Sequence, residues 1–281
     1  MLADAGTNIL LYLEIQKGKI EMTKEKYAST HKATAANVMR MSEYTKRTTN
    51  ATAEGEPSTV PAQTYLGDSW FTSIQAATEI ALRGDHYIGV LKTNHAGFPR
   101  KYLENTMKDW PAGSHLVMET ETVNNIGLLA IGYKYNRRKV LCFLATKGAG
   151  HTEAGKAYEA RWKDDNNNTE TRDVPRPEIC SKYFENCNAF DVHNQSRQFD
   201  LHLEKQWITT DGYFRIATSV FGMTVIDIWH GYRHHLNHQH RHKSLTAVQF
   251  ASILAKDCLN NGFSRRLPSE MAFTLGIPSN L

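Results

Sequence analysis

Cysteine is scarce and spaced for nothing. Cys142, Cys180, Cys187 and Cys258 are the only four, and no Cys-x-x-Cys pair occurs. That excludes a disulfide scaffold and a zinc ribbon, and the four read as reduced intracellular thiols. No apolar stretch approaches the ~18 uninterrupted residues of a membrane helix. The apolar run Ile9 to Leu13 has no basic segment before it and no cleavage site after it, which argues against a secretory signal. Nucleotide-binding fingerprints are missing too, since Gly148-Ala149-Gly150 is too short to cradle a phosphate. No Ser-His-Asp or Cys-His constellation can be placed. A soluble intracellular protein without a membrane segment is the expectation.

What remains is ordinary in bulk. The 281 residues are 41% hydrophobic and include five Trp, enough for one large domain or a domain with a sizeable insertion. The net charge of +4 is compatible with nucleic acid without demanding it.

Along the chain, Ile9 to Ile15 suits a buried strand closed by Lys17-Gly18-Lys19. Residues 42–62, with Pro57 and Pro61, read as a loop. A short strand at Thr64 to Leu66 leads to a helix over 69–82, where Phe71, Ile74, Ala77, Ile80 and Ala81 recur at helical steps. Another strand follows at Tyr87 to Leu91, and strand, helix, strand predicts an α/β sheet. Leu116 to Met118, Leu128 to Tyr133 and Val140 to Ala145 read as three β-strands in a small β-rich unit. Residues 150–178 are polar and read as an exposed loop. Helical periodicity returns with Val192, Phe199, Leu203 and Trp207, and again from Tyr213 to Trp229.

Three aspartates stand where chemistry is done. Asp4 lies beside the first strand, Asp68 ends a short strand, and Asp191 opens a helix. Carboxylates at strand ends and a helix start can converge over one sheet edge and hold hard divalent cations. Two such cations can activate a water or 3′-hydroxyl against a phosphodiester. The plain alternatives are N-caps at Asp68 and Asp191 and a turn residue at Asp4. Trp70, Phe71, Trp207 and Trp229 read as core at helical spacing.

Five segments resemble piggyBac-type transposases, in the family's order. Gly67-Asp68-Ser69-Trp70-Phe71-Thr72-Ser73 is similar to the motif in which an aspartate precedes Asn/Ser-Trp-Phe-Thr-Ser. Ile88 to Asn94 resembles the strand that follows it, and Trp110-Pro111-Ala112-Gly113 the start of a β-rich insertion. Phe190-Asp191-Val192-His193-Asn194-Gln195 resembles the segment with the third catalytic aspartate, and Ala3-Asp4-Ala5-Gly6-Thr7 the segment with the first.

The likeness spans about Met1 to Trp229. It implies a ribonuclease-H-like mixed sheet flanked by helices, with a β-rich insertion before the last catalytic helix. The implied division is core over 1–100 and 179–230, insertion and loop over 101–178, and a basic His-rich segment and C-terminal tail over 231–281. It further implies Asp4, Asp68 and Asp191 as catalytic residues and, with Asn194, as ligands of two Mg²⁺. DNA with TTAA targets and transposon ends, a homodimer and a nuclear location are also implied.

Three departures qualify this. Asn194 stands where the family has a fourth acid, and Asn supplies no negative charge. The strand bearing Asp4 is expected to be cut short or lost. The family's N-terminal DNA-binding region and C-terminal cysteine-rich zinc domain have no counterpart, so the chain is expected to be a catalytic-region fragment. A domesticated or decayed relative that binds DNA or protein without cutting is the alternative. Outside these motifs, His234, His235, His238, His240 and His242 crowd a basic segment that reads as solvated. Arg137-Arg138-Lys139 reads as an ordinary exposed turn, ahead of a DNA contact or part of a nuclear signal.

Overall fold

The structure, a computed structural model, describes residues 1–50, 61–93, 95–122, 124–153, 155, 157–163, 169–238 and 245–260. It divides into two compact units, Met1–Gly6 with Leu10–Ala189, and Thr7–Ile9 with Phe190–Leu281.

The first unit begins with β1 (Leu2–Ala3) and β2 (Leu10–Tyr12), which pair with each other in an antiparallel ladder of their own. A short helix α1 (Lys19–Met22) and a long one, α2 (Ala33–Asn50), follow. Next come β3 (Thr64–Gly67), α3 (Ile74–Leu82), β4 (His86–Leu91) and α4 (Arg100–Thr106). Three long strands complete the sheet: β5 (His115–Glu121), β6 (Gly127–Asn136) and β7 (Lys139–Thr146). The order is β3-β4-β7-β6-β5, with β3 and β4 parallel and every other pair antiparallel.

Alternation along the central strands builds a core on each face. Tyr87, Leu91, Cys142 and Leu144 point to one side, against Ala35 and Val38 of α2, Ala76, Ala77 and Ile80 of α3, and Leu103 of α4. Ile88, Val90, Ile131, Phe143 and Ala145 point to the other, against Ile179, Cys180 and Tyr183 of α5 (Glu178–Asn186). Burial on both faces is why β4, β6 and β7 read as near-continuous apolar runs. It also pushes the Cys142 and Cys180 thiols up to about 12. In native protein, a disulfide-exchange reagent is therefore expected to titrate two thiols quickly, the exposed Cys187 and Cys258. Fast reaction of all four would contradict this packing.

Three expectations change here. The strands at 115–146 belong to the same sheet as β3 and β4, so they extend the α/β layer instead of forming a unit apart. Residues 42–50 are helical, because α2 buries Ser42 and Thr45 through hydrogen bonds to its own carbonyls and to the Tyr65 hydroxyl. The rest of that predicted loop, 51–60, lies outside the described residues. The polar stretch 150–178 contains an antiparallel hairpin, β8 (Tyr158–Lys163) with β9 (Thr169–Val174). β8 does alternate, with Tyr158, Ala160 and Trp162 between charged residues, but β9 is mostly exposed and carries no apolar alternation to pair with it.

The second unit is helical. It contains α6 (Ala189–Gln195), a π-helical turn (Ser196–Leu201), α7 (Leu203–Gln206), α8 (Gly212–His238) and α9 (Ala247–Asn260). Ile226 and Trp229 of α8 pack on Ala247 of α9, and the Trp229 indole donates to the Leu245 carbonyl at 2.9 Å. Among the described residues, no helix is long and apolar enough to cross a membrane.

Candidate functional site

Asp68 follows β3 directly, at the C-terminal end of a parallel strand. Its Oδ1 accepts from the Trp70 N–H at 2.8 Å and the Phe71 N–H at 3.2 Å, so the carboxylate caps a tight turn while the residue stays exposed. It does not cap α3: Ser73 does, accepting from the Ala76 N–H at 3.1 Å. The predicted helix therefore starts five residues later than its periodicity suggests, because the turn is a separate structure.

A buried network fixes this turn from beneath. The Thr72 hydroxyl donates to the Asp68 carbonyl at 2.6 Å. The Tyr87 hydroxyl donates to the Phe71 carbonyl at 3.2 Å, and burial pushes that phenol well above its ordinary value, so it remains a donor. Register partners Gly67 and Gly89 lie under these side chains. A Cβ on Gly67 would stand 1.9 Å from Tyr87 Oη, and one on Gly89 would stand 2.1 Å from Thr72 Oγ1. Sequence reading missed Tyr87, Thr72 and Gly89 as supports. Gly89 inside an apolar strand was the one available signal, since such a glycine marks a close approach.

Trp70 is 70% exposed, against the expectation that it packs the core. The turn turns it outward, and Phe71 instead packs against the inner cluster. Trp207 is also largely open, at 43%, beside Phe214 and Phe221, whereas Trp229 is buried as expected.

Asp4 follows β1 and enters the turn 5–7, half-buried. The Met1 amino group, at the start of the same strand, feels both Glu14 and Asp68. Asp4 and Asp68 thus share the first unit, while Asp191 and Asn194 lie on α6 in the second. Asp191 is exposed in the first turn of α6, inside the helix and not at its cap.

One donor atom on α6 is already engaged. Asn194 Oδ1, the atom a metal would use, accepts from the Arg197 guanidinium at 3.2 Å. Among the described residues, no group of three or more His, Cys, Asp or Glu is gathered to hold a metal ion. Asn194 as described is therefore a poor ligand for the implied Mg²⁺ pair. His238 has no described side chain, and His240 and His242 lie outside the described residues.

Two residues behind Asp191, His193 is buried with Nε2 3.2 Å from Asp227 Oδ1, and its ring stacks 6.0 Å from His230. Burial first, then His193 and Arg233, hold His230 down at about 4, against the pull of Asp227. The unfolded chain, with an ordinary histidine near 6.5, binds the extra proton in between. This contribution is complete above about pH 6.5 and is lost as pH falls toward 4, on the order of 2–3 kcal/mol. Urea midpoints measured from pH 7 to 4.5 should fall in the native chain and fall less in His230→Phe. Equal pH slopes would remove His230 as the cause.

The fold is a mixed sheet with an acidic turn at the end of a parallel strand, and the sequence places the chain in a transposase family. The chain belongs to the Transposase IS4 family, which matches residues 1–227. Its fold is similar to that of a piggyBac transposase. A cryo-electron microscopy structure of the piggyBac transposase synaptic complex with hairpin DNA matches with a TM-score of 0.60 and 15% identity. The match covers 99% of this chain and 51% of that one, so the chain spans about half the length of that relative. No curated protein matches the sequence. The piggyBac-type resemblance seen in the motifs holds at the level of family and fold.

Proposed function

We propose that this chain is a catalytic-region segment of a DNA transposase, cutting and joining phosphodiester bonds with Asp4, Asp68 and Asp191 as its carboxylates. Asp68 is the observation that carries the reading. It is exposed, anchored to the backbone of its own turn, and placed at the C-terminal end of a parallel strand, where open α/β sheets bind their ligands. A carboxylate held this way can accept the proton of an attacking water or 3′-hydroxyl. Support for DNA as the substrate comes from the family and from a relative of like fold solved on hairpin DNA.

The finer features rest on the motif resemblance. They are a ribonuclease-H-like core over 1–100 and 179–230, an inserted segment over 101–178 whose strands β5, β6 and β7 join the core sheet, a basic His-rich segment and C-terminal helix or tail over 231–281, TTAA targets, a homodimer and a nuclear site of action. Mg²⁺ is the implied cation, and no step is assigned to it here.

A second reading is a transposase relative that binds DNA or protein without cutting, favoured by the guanidinium on Asn194. Incubating the chain with TTAA-containing supercoiled plasmid, in Mg²⁺, Mn²⁺ or EDTA, separates the two. Metal-dependent nicking that Asp68→Ala abolishes supports the first. Binding without nicking in any metal supports the second.

A further inference from the structure

We infer that a basic cleft between α4 and the β6–β7 turn binds the phosphodiester backbone of duplex DNA. It rests on the proposed function for its partner, DNA, and not for any cleavage. The cleft has a volume of about 460 Å³. Six cationic and two acidic side chains line it, an excess of four positive charges, which equals the net charge of the whole 281-residue chain.

The distribution within the cleft matters more than the total. Arg100 is consumed by Glu104 at 2.8 Å. That leaves Lys108, Lys134, Arg137, Arg138 and Lys139 against the single acid Asp109. The three consecutive cations are not a floppy tip. Asn136 Oδ1 accepts from the N–H groups of Arg138 and Lys139, both at 2.9 Å, and this fixes the turn that presents them.

Lys134 lines the cleft although it is only 2% exposed, and its ammonium donates to the Lys108 carbonyl. A buried ammonium answered only by a backbone carbonyl is costly, and an anion held in the cleft would offset that cost. Fixed donors on a turn, Lys108 just after α4 and the buried Lys134 match a run of phosphates. Contacts of such cations to phosphate position a duplex without reading its bases, so binding should be independent of sequence.

The test is fluorescence anisotropy of the 281-residue chain with a labelled duplex in EDTA, at several salt concentrations. Arg137→Ala/Arg138→Ala/Lys139→Ala should flatten the plot of log affinity against log salt by about 2–3 and weaken binding about tenfold or more, on TTAA and non-TTAA duplexes alike. Lys24→Ala/Arg161→Ala/Arg172→Ala removes the same charge from exposed ion pairs elsewhere and should leave the slope nearly unchanged. Should the first triple unfold, Arg138→Gln alone should still flatten the slope by about 0.9. Equal effects from the two triples, no effect from the first, or no duplex binding by the native chain would each overturn the inference. So would poly-glutamate competing as well as duplex and losing its hold with the same triple, which would assign the cleft to an acidic protein. Binding without nicking leaves this inference intact and sinks the proposed cleavage.

Discussion

Asp68→Asn should lower plasmid nicking on the order of a thousandfold while leaving the thermal midpoint nearly unchanged. The argument turns on what the two oxygens do. One of them caps the turn by accepting from the Trp70 and Phe71 N–H groups. An asparagine carbonyl can make the same two bonds, so the turn survives the change. The negative charge does not survive it, and with it goes the ability to take a proton at neutral pH. Asp68→Ala removes both contributions, and it should add a loss of about 0.5–2 kcal/mol of stability from the missing cap. The contrast between the variants separates chemistry from structure. Nicking by Asp68→Asn at the native rate would remove Asp68 from the proposed machinery.

The larger structural effect is expected one residue earlier. Gly67→Ala places a methyl 1.9 Å from Tyr87 Oη and 2.7 Å from Tyr87 Cζ. Tyr87 is 1% exposed, so its ring has nowhere to go. Overpacking of a closed core costs about 1–3 kcal/mol, and this site should lie at the upper end. For a chain of this size that lowers the thermal midpoint by roughly 6–12 °C. Because Tyr87 also holds the Phe71 carbonyl, the shift should disturb the Asp68 turn and reduce nicking as well. Adding Tyr87→Phe removes the closer contact and should restore part of the lost stability, giving a favourable coupling in a double-mutant cycle. A Gly67→Ala chain that melts with the native midpoint would refute the close approach.

How much of this was legible before folding differs from element to element. The strands now seen as β4, β6 and β7 and the body of α3 were readable, because burial against helices selects long apolar runs and helical spacing. The Asp68 turn was readable as a motif, since the Gly-Asp-Ser-Trp-Phe wording is local. α2 was not. Its buried face mixes Ala, Val and Met with Asn, Ser and Thr, and Tyr65 and Arg83 reach the hydroxyls of Thr45 and Ser42 from distant positions. The hairpin of β8 and β9 was hidden by the same logic, as its pairing comes from backbone bonds and not from an apolar face.

The amino-acid order alone determined the α/β class, the family and the carboxylates worth testing, because periodicity and motif wording are carried by neighbours in the chain. Only the tertiary structure decided that Trp70 faces outward, that Gly67 and Gly89 must be small, that Asn194 spends its oxygen on Arg197, and that Lys134 is buried beneath a basic turn. Each of these depends on groups that come close through folding, and contact energies fall away within a few ångströms. No pattern along the chain records such distances.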